Sequence, residues 1–332
     1  MKRIKILLTN FIILLLVYIF FEFSCRYLFV KNFGFVSELN YISDLKIETN
    51  YNDFYNNYLD FLHPEIGFLK PDPNFDLDSK KKKNISIYGD SVSVGVGTNI
   101  SFDSYMDSYV NDNYNILNFS TENHGFYQIS YNVDKYISKY KSEINLITPI
   151  AHDLLRPGKT FMSGMLRPIY ISSKEGFMII KNYDYDKFIL SYKFSKEYFF
   201  NSIWLLKFLW DNRKYYFANY YHDFYANIYK NSFKKIQESN EDLNTIIVIL
   251  PTYYKFRHKD FTINLFNKIF DEIEKSENLY LINIEECVKN FFKKNNKNFK
   301  NLTNIIHPGS FTHRSYAYCI ISYLNKMNLL DQ

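Results

Sequence analysis

Cysteine is scarce in this chain: three in 332 residues, at positions 25, 287 and 319. Their wide separation excludes a ligand spacing of the zinc-site kind. Cys287 and Cys319 lie in apolar helical patterns, where a free cysteine commonly serves as a small buried hydrophobe. A Cys287–Cys319 disulfide could form in an oxidising compartment, but the sequence does not require it. Also missing is any basic stripe. The net charge is only +5, and it comes from scattered lysines apart from the run Lys80-Lys81-Lys82-Lys83. That run reads as a solvated loop ahead of a buried strand, whereas nucleic-acid binding wants basic residues gathered on one face. Nucleic acid is therefore not an expected partner. No internal repeat is present. Aromatic and apolar residues are abundant, so one large domain with an insertion, or two domains, can each bury a core.

The N-terminus lacks a small-residue cleavage site. Lys2, Arg3 and Lys5 precede Ile6-Leu7-Leu8, the polar pair Thr9-Asn10, and an apolar run from Phe11 to Phe21 that Glu22 and Arg26 close. Crossing a bilayer as a helix takes roughly 17–25 mostly apolar residues, a length this segment just reaches. Basic residues ahead of the run predict a cytoplasmic N-terminus with the remainder outside. The stretch Glu22-Phe23-Ser24-Cys25 is bulky and charged, unlike a signal-peptidase or lipoprotein site. The expectation is an uncleaved single-pass anchor over residues 1–30 in the inner (cytoplasmic) membrane of a bacterium. A cleaved signal and a buried helix are the alternatives. Residues 31–84, with Pro64, Pro71 and Pro73, read as an extended lead-in.

Beyond it, short apolar runs alternate with amphipathic stretches. The runs are Ile85–Tyr88, Ile116–Phe119, Leu146–Ala151, Thr245–Leu250 and Leu279–Ile284. Each is short, rich in Ile, Leu and Val, and bounded by polar or turn residues, as suits parallel strands buried on both faces. Helices are predicted over Asp103–Asn111, Tyr127–Lys141, Tyr225–Ser239, Phe261–Lys275, Glu286–Lys294 and Phe311–Met327. This alternation predicts an α/β fold: a three-layer α/β/α sandwich with a central parallel sheet over residues 85–330. An insertion at 157–222 is too long for an ordinary strand–helix connection. Within it, Arg167–Ser172 and Phe177–Ile180 flank Ser173-Lys174-Glu175-Gly176 and predict a hairpin. Glu197–Leu209, with Trp204, predicts a helix. The insertion is either a cap over the sheet or a lid that shapes a substrate cleft.

Two short segments carry chemistry. Gly89-Asp90-Ser91-Val92 follows the first strand directly, which places the Ser91 hydroxyl at the C-terminal edge of the sheet. Helix N-terminal amides can stabilise developing negative charge there. An ordinary Asp/Ser helix cap would look the same. Near the far end stands Asn304-Ile305-Ile306-His307-Pro308. A serine and a histidine distant in sequence can form a nucleophile–base pair once the fold unites them.

Together the segments resemble the first and last blocks of the SGNH, or GDSL-type, serine hydrolases, over roughly Ile85 to Leu324 without the insertion. The resemblance implies Ser91 as nucleophile and His307 as general base, with no metal or organic cofactor. It also implies oxyanion donors after the second and third strands. In Asn118-Phe119-Ser120-Thr121-Glu122-Asn123-His124-Gly125-Phe126-Tyr127-Gln128, Asn118 and Gln128 keep the family register. Asn123 falls where the family has its oxyanion-hole glycine, and Gly125 is the alternate. His152 stands where the family has an asparagine donor; an imidazole N–H could replace it, or His152 could be a buried polar residue. Asn304 replaces the aspartate that would orient His307. Its amide oxygen can accept the Nδ1–H bond but lacks the charge, and in a serine protease the equivalent loss lowers turnover about 10⁴-fold. A Ser–His dyad, with Asn304 as the candidate orienter, is what these residues support.

The N-terminal anchor and the Arg-Pro hairpin resemble envelope members of that superfamily that act on acyl groups of surface glycans. The leading expectation is a membrane-anchored serine esterase removing acetyl or other acyl groups from an extracytoplasmic carbohydrate, with that acylated carbohydrate or a small ester as substrate. A glycan O-acyltransferase using the same serine is one alternative. A decayed member that only binds glycan or protein is the other, and Trp204, Trp210 and Tyr215–Tyr225 could then stack on sugars.

Overall fold

The computed structural model describes residues 2–24, 83–110, 114–121, 124–140, 142–158, short strands between 161 and 180, residue 210, and residues 212–239, 243–252, 258–273, 278–304 and 307–331. The expected lead-in up to residue 82 and the expected helix at Glu197–Leu209 lie outside them.

Five apolar runs form one parallel sheet. The strands are β1 (Lys83–Gly89), β2 (Tyr114–Asn118), β3 (Ile144–Thr148), β8 (Asn244–Val248) and β9 (Leu279–Ile282), in the order β2-β1-β3-β8-β9. Four small strands intervene in sequence: β4 (Phe161–Met162), β5 (Met165–Leu166), β6 (Ile169–Ser173) and β7 (Gly176–Ile180). The last two pair antiparallel with Ser173 opposite Gly176, giving the hairpin expected from the turn residues.

The helices between strands are α2 (Ser91–Val94), α3 (Phe102–Tyr109), α4 (Phe126–Tyr140), α5 (Ala151–Leu155), α6 (Arg213–Tyr216), α7 (His222–Glu238), α8 (Lys259–Glu272), α9 (Glu285–Lys294) and α10 (Ser310–Lys326). They bury both faces of the sheet. Tyr88, Leu117, Ile147 and Ile247 join one apolar cluster with residues of α4, α7 and α8. Ile85, Ile87, Leu146, Ile246 and Val248 join a second with residues of α3, α9 and α10. Side chains alternate across a strand, so a run buried on both sides is mostly apolar, with a few buried polar exceptions such as Ser86, Asn145 and Thr245. That is why these strands were plain in the sequence.

The chain order runs outward from β1 in both directions, with β2 on one side and β3 on the other. The loops leaving the C-terminal ends of β1 and β3 therefore diverge and open a crevice between them. Ser91 follows β1, and His152 lies in α5 just after β3.

The N-terminal segment forms α1 (Lys2–Ser24). From Phe11 to Phe23 its large apolar side chains are mostly exposed, among them Phe11, Leu14 and Phe20. Among the described residues, however, no helix is long and apolar enough to cross a membrane. The transmembrane span expected over residues 1–30 is therefore not found. Asn10 and Glu22 bound the unbroken apolar run Phe11–Phe21, which falls short of the about 20 residues that a span wants.

Cys287 of α9 and Cys319 of α10 are joined by a disulfide, with Cα atoms 5.9 Å apart. It closes the stretch of chain that carries His307. At the start of α10, His313 is fully buried beside Phe102 and Tyr316. Burial pushes its imidazole down to about 4, against the opposing pull of Asp103. A histidine held neutral in the fold but protonated near pH 6.5 when unfolded costs stability as pH falls. The loss begins near the unfolded value and is complete below the folded one. Between pH 6.5 and 5 this one group should remove about 1.5 kcal/mol. Denaturant titrations of wild type and His313→Leu across that range should show the variant's pH slope flattened by that amount, and identical slopes would refute the assignment.

Candidate active site

The turn that carries Ser91 is held from several sides. Gly89 ends β1 where no side chain fits: a Cβ there would lie 2.1 Å from Ser93 Oγ and 2.6 Å from Thr148 Oγ1. Those two hydroxyls are themselves 2.7 Å apart, which ties the turn to β3. Asp90 caps α2 by accepting the Val92 N–H on Oδ1 at 2.9 Å. Gly95, at φ 91°, ends α2 in the left-handed conformation that glycine reaches without a Cβ penalty.

His307 arrives from the other end of the chain. Thr98, in the loop after α2, brings its Oγ1 to 2.6 Å from Ser310 Oγ at the start of α10. Gly97, at φ 82°, lies close under the histidine: a Cβ there would sit 3.0 Å from His307 Cβ. The imidazole Nε2 is 3.0 Å from Ser91 Oγ. Ser91 is buried, while His307 is exposed.

Ser91 Oγ has a second neighbour, Asp90 Oδ2, at 3.3 Å. A hydroxyl has one proton. With neutral His307 accepting it on Nε2, the serine is set for deprotonation. With His307 protonated, Nε2–H donates and the serine turns its proton to Asp90, an idle arrangement. Asp90, Asp153 and Arg156 are all buried, at 0%, 0% and 1% exposure. Burial drives the Asp153 carboxyl well above the ordinary carboxylate range, with Arg156 opposing and Asp90 adding to the rise.

The loop after β2 also leans on the nucleophile turn. Asn118 Nδ2 donates to Ser93 O at 2.9 Å, and the Ser120 N–H donates to Asn118 Oδ1. Of the expected oxyanion donors, Asn123 lies outside the described residues. The alternate, Gly125, turns its N–H to Gln128 Oε1 at 2.9 Å. His152 Nε2 sits 2.8 Å from the Tyr215 hydroxyl of α6, beyond the hairpin. The insertion's C-terminal flank therefore reaches the end of β3. The backbone of Asn304 ends a 3₁₀ turn over Phe299–Asn304, but its side chain lies outside what is described. Among the described residues, none pairs with His307 Nδ1. Among them too, no group of three or more His, Cys, Asp or Glu side chains is placed to hold a metal ion.

Sequence reasoning named Ser91 and His307, which the fold unites. It missed Arg156, whose one available signal was its i, i+3 spacing from Asp153. It also missed Tyr215 as the partner of His152.

No protein-family model matches the sequence, and no curated protein does. Several solved structures overlap it. A lipase from a goat rumen metagenome, Lip_vut3, is 14% identical, covering 73% of this chain and 97% of its own, at a TM-score of 0.41. A family 3 carbohydrate esterase from Clostridium thermocellum is 10% identical over 74% and 97%, at 0.42. A catalytic mutant of Axe2, an acetylxylan esterase from Geobacillus stearothermophilus, is 11% identical over 75% and 97%, at 0.43. Likeness at this level says nothing by itself about chemistry.

Proposed function

We propose that this protein is a serine ester hydrolase of the SGNH kind, acting on acyl groups carried by an extracytoplasmic carbohydrate. The observation that carries the proposal is the 3.0 Å approach of His307 Nε2 to Ser91 Oγ, between residues 216 apart in sequence. Its setting, at the C-terminal ends of parallel strands where the strand order reverses, is where open α/β sheets bind ligands.

In the proposed reaction, Ser91 Oγ attacks the ester carbonyl while His307 Nε2 takes its proton. The C–O bond to the leaving alcohol then breaks, and His307 returns the proton to that alcohol. Water enters next, His307 deprotonates it, and the acyl-enzyme is cleaved to free acid with the serine regenerated. The backbone N–H of Ser91, with that of Asn123, is the proposed oxyanion site. His152, whose Nε2 meets the Tyr215 hydroxyl, is the further candidate donor to that oxyanion. His307 works here without a placed carboxylate on Nδ1, as a dyad. Its solvent exposure lets the proton exchange with water between the two half-reactions.

The extracytoplasmic setting draws on two features. A Cys287–Cys319 disulfide suits an oxidising compartment. The exposed apolar side chains of α1, with Lys2, Arg3 and Lys5 at its N-terminal end, suit attachment to a membrane surface. The carbohydrate is the substrate class that the family resemblance implies.

Ser91→Ala should lower kcat/KM for p-nitrophenyl acetate and for an acetylated xylo-oligosaccharide by about 10³-fold or more, with the circular dichroism spectrum unchanged. A variant as active as wild type would end the serine assignment. For the location, the full-length protein should sediment with membranes, and a variant lacking residues 2–24 should not. Recovery of the full-length protein in the soluble fraction would contradict attachment through α1.

A further inference from the structure

Arg156 is the largest fully buried side chain in the described structure, yet it is charged and stands directly behind the nucleophile turn. Its Nη1 donates to the carbonyl oxygen of His124 at 2.5 Å. The same nitrogen pairs with Asp153 Oδ1 at 2.8 Å and with Asp90 Oδ2 at 3.3 Å. One cation thus joins three segments: the turn after β1, the loop after β2 that leads to Gly125, and α5 after β3. Gly125 is packed against it, since a Cβ there would meet Arg156 Cβ at 3.0 Å. Tyr225 and Tyr229 of α7 fix the helix end from the other side. Their hydroxyls donate to the carbonyl oxygens of Leu155 and Leu154, each at 3.1 Å.

A buried guanidinium in such a place needs a reason. Replacing a buried ionic cluster by apolar residues is often neutral or stabilising, so stability alone is a weak one. The geometry offers another. Asp90 Oδ2 is both the atom that Arg156 pairs with and the atom that competes with His307 for the Ser91 proton. A guanidinium on Oδ2 weakens that competition. Its bond to the His124 carbonyl holds the chain after β2, where the Thr121 N–H donates to the Gly89 carbonyl at 3.0 Å.

We propose that Arg156 is a positioning residue for Ser91, holding Asp90 Oδ2 and the loop after β2 so that the serine proton is offered to His307. It touches no substrate. The inference rests on the serine-hydrolase reading above.

The test compares Arg156→Lys with wild type, both full length and both titrated with a fluorophosphonate so that rates refer to competent sites, with Ser91→Ala as the unlabelled control. Lysine keeps a buried cation, so the fold should survive, but its shorter side chain does not carry the nitrogen to the position where Nη1 meets all three acceptors. A fall in kcat of about 10- to 100-fold per titrated site is expected, with KM for p-nitrophenyl acetate changed less than threefold and fluorophosphonate labelling slowed in parallel. For Arg156→Ala, added guanidinium should restore part of the rate while added ammonium should not. A purely structural role would lower the titre or the melting temperature and leave kcat per site alone. Wild-type kcat and labelling in Arg156→Lys would overturn the inference. Wild type that neither turns over esters nor labels at Ser91 would instead overturn the hydrolase reading itself.

Discussion

A single contact, His307 Nε2 against Ser91 Oγ at 3.0 Å, is what the rest of this molecule arranges. Neither residue could provide it alone. Ser91 is fixed by a glycine that admits no side chain, by an aspartate cap, and by a hydroxyl pair that binds its turn to the neighbouring strand. His307 is carried in by the stretch between α9 and α10, which the Cys287–Cys319 bond closes. The sheet supplies the meeting place, because its order reverses between β1 and β3 and leaves room above the strand ends.

The electrostatics behind that contact run against simple economy. Two carboxyl groups and one guanidinium are taken wholly out of water within reach of the nucleophile. Two carboxylates with one cation leave an excess negative charge, and the upward displacement of Asp153 is the response expected when burial disfavours ionisation. The cluster then serves geometry more than stability, in keeping with the modest net worth of buried ion pairs.

The sheet was legible in the sequence because its central strands are buried on both faces and so read as short runs rich in Ile, Leu and Val. β1 begins at Lys83, before the run at Ile85, because Lys83 and Asn84 pair with Tyr114 and Asn115 through backbone bonds that composition does not reveal. The six long helices between and after the strands were legible from their amphipathic period to within three residues at each end. Ser91 and His307 were legible because local turn chemistry and a proline-bounded histidine mark them. Arg156 was not. An arginine in a sequence is presumed solvated, and only the convergence of three loops makes it a buried hub. The His152–Tyr215 contact was hidden for a similar reason, since it depends on how the insertion returns to the sheet. At the N-terminus the reverse happened: the apolar segment reads as a span in sequence, but the helix it forms has too short an uninterrupted apolar run.

Mass spectrometry of the full-length protein after fluorophosphonate treatment at neutral pH tests the central contact most directly. The account predicts one covalent adduct, on Ser91, formed in wild type and strongly suppressed in His307→Gln. An adduct on a different residue, or equal labelling of Ser91 in the two proteins, would contradict it.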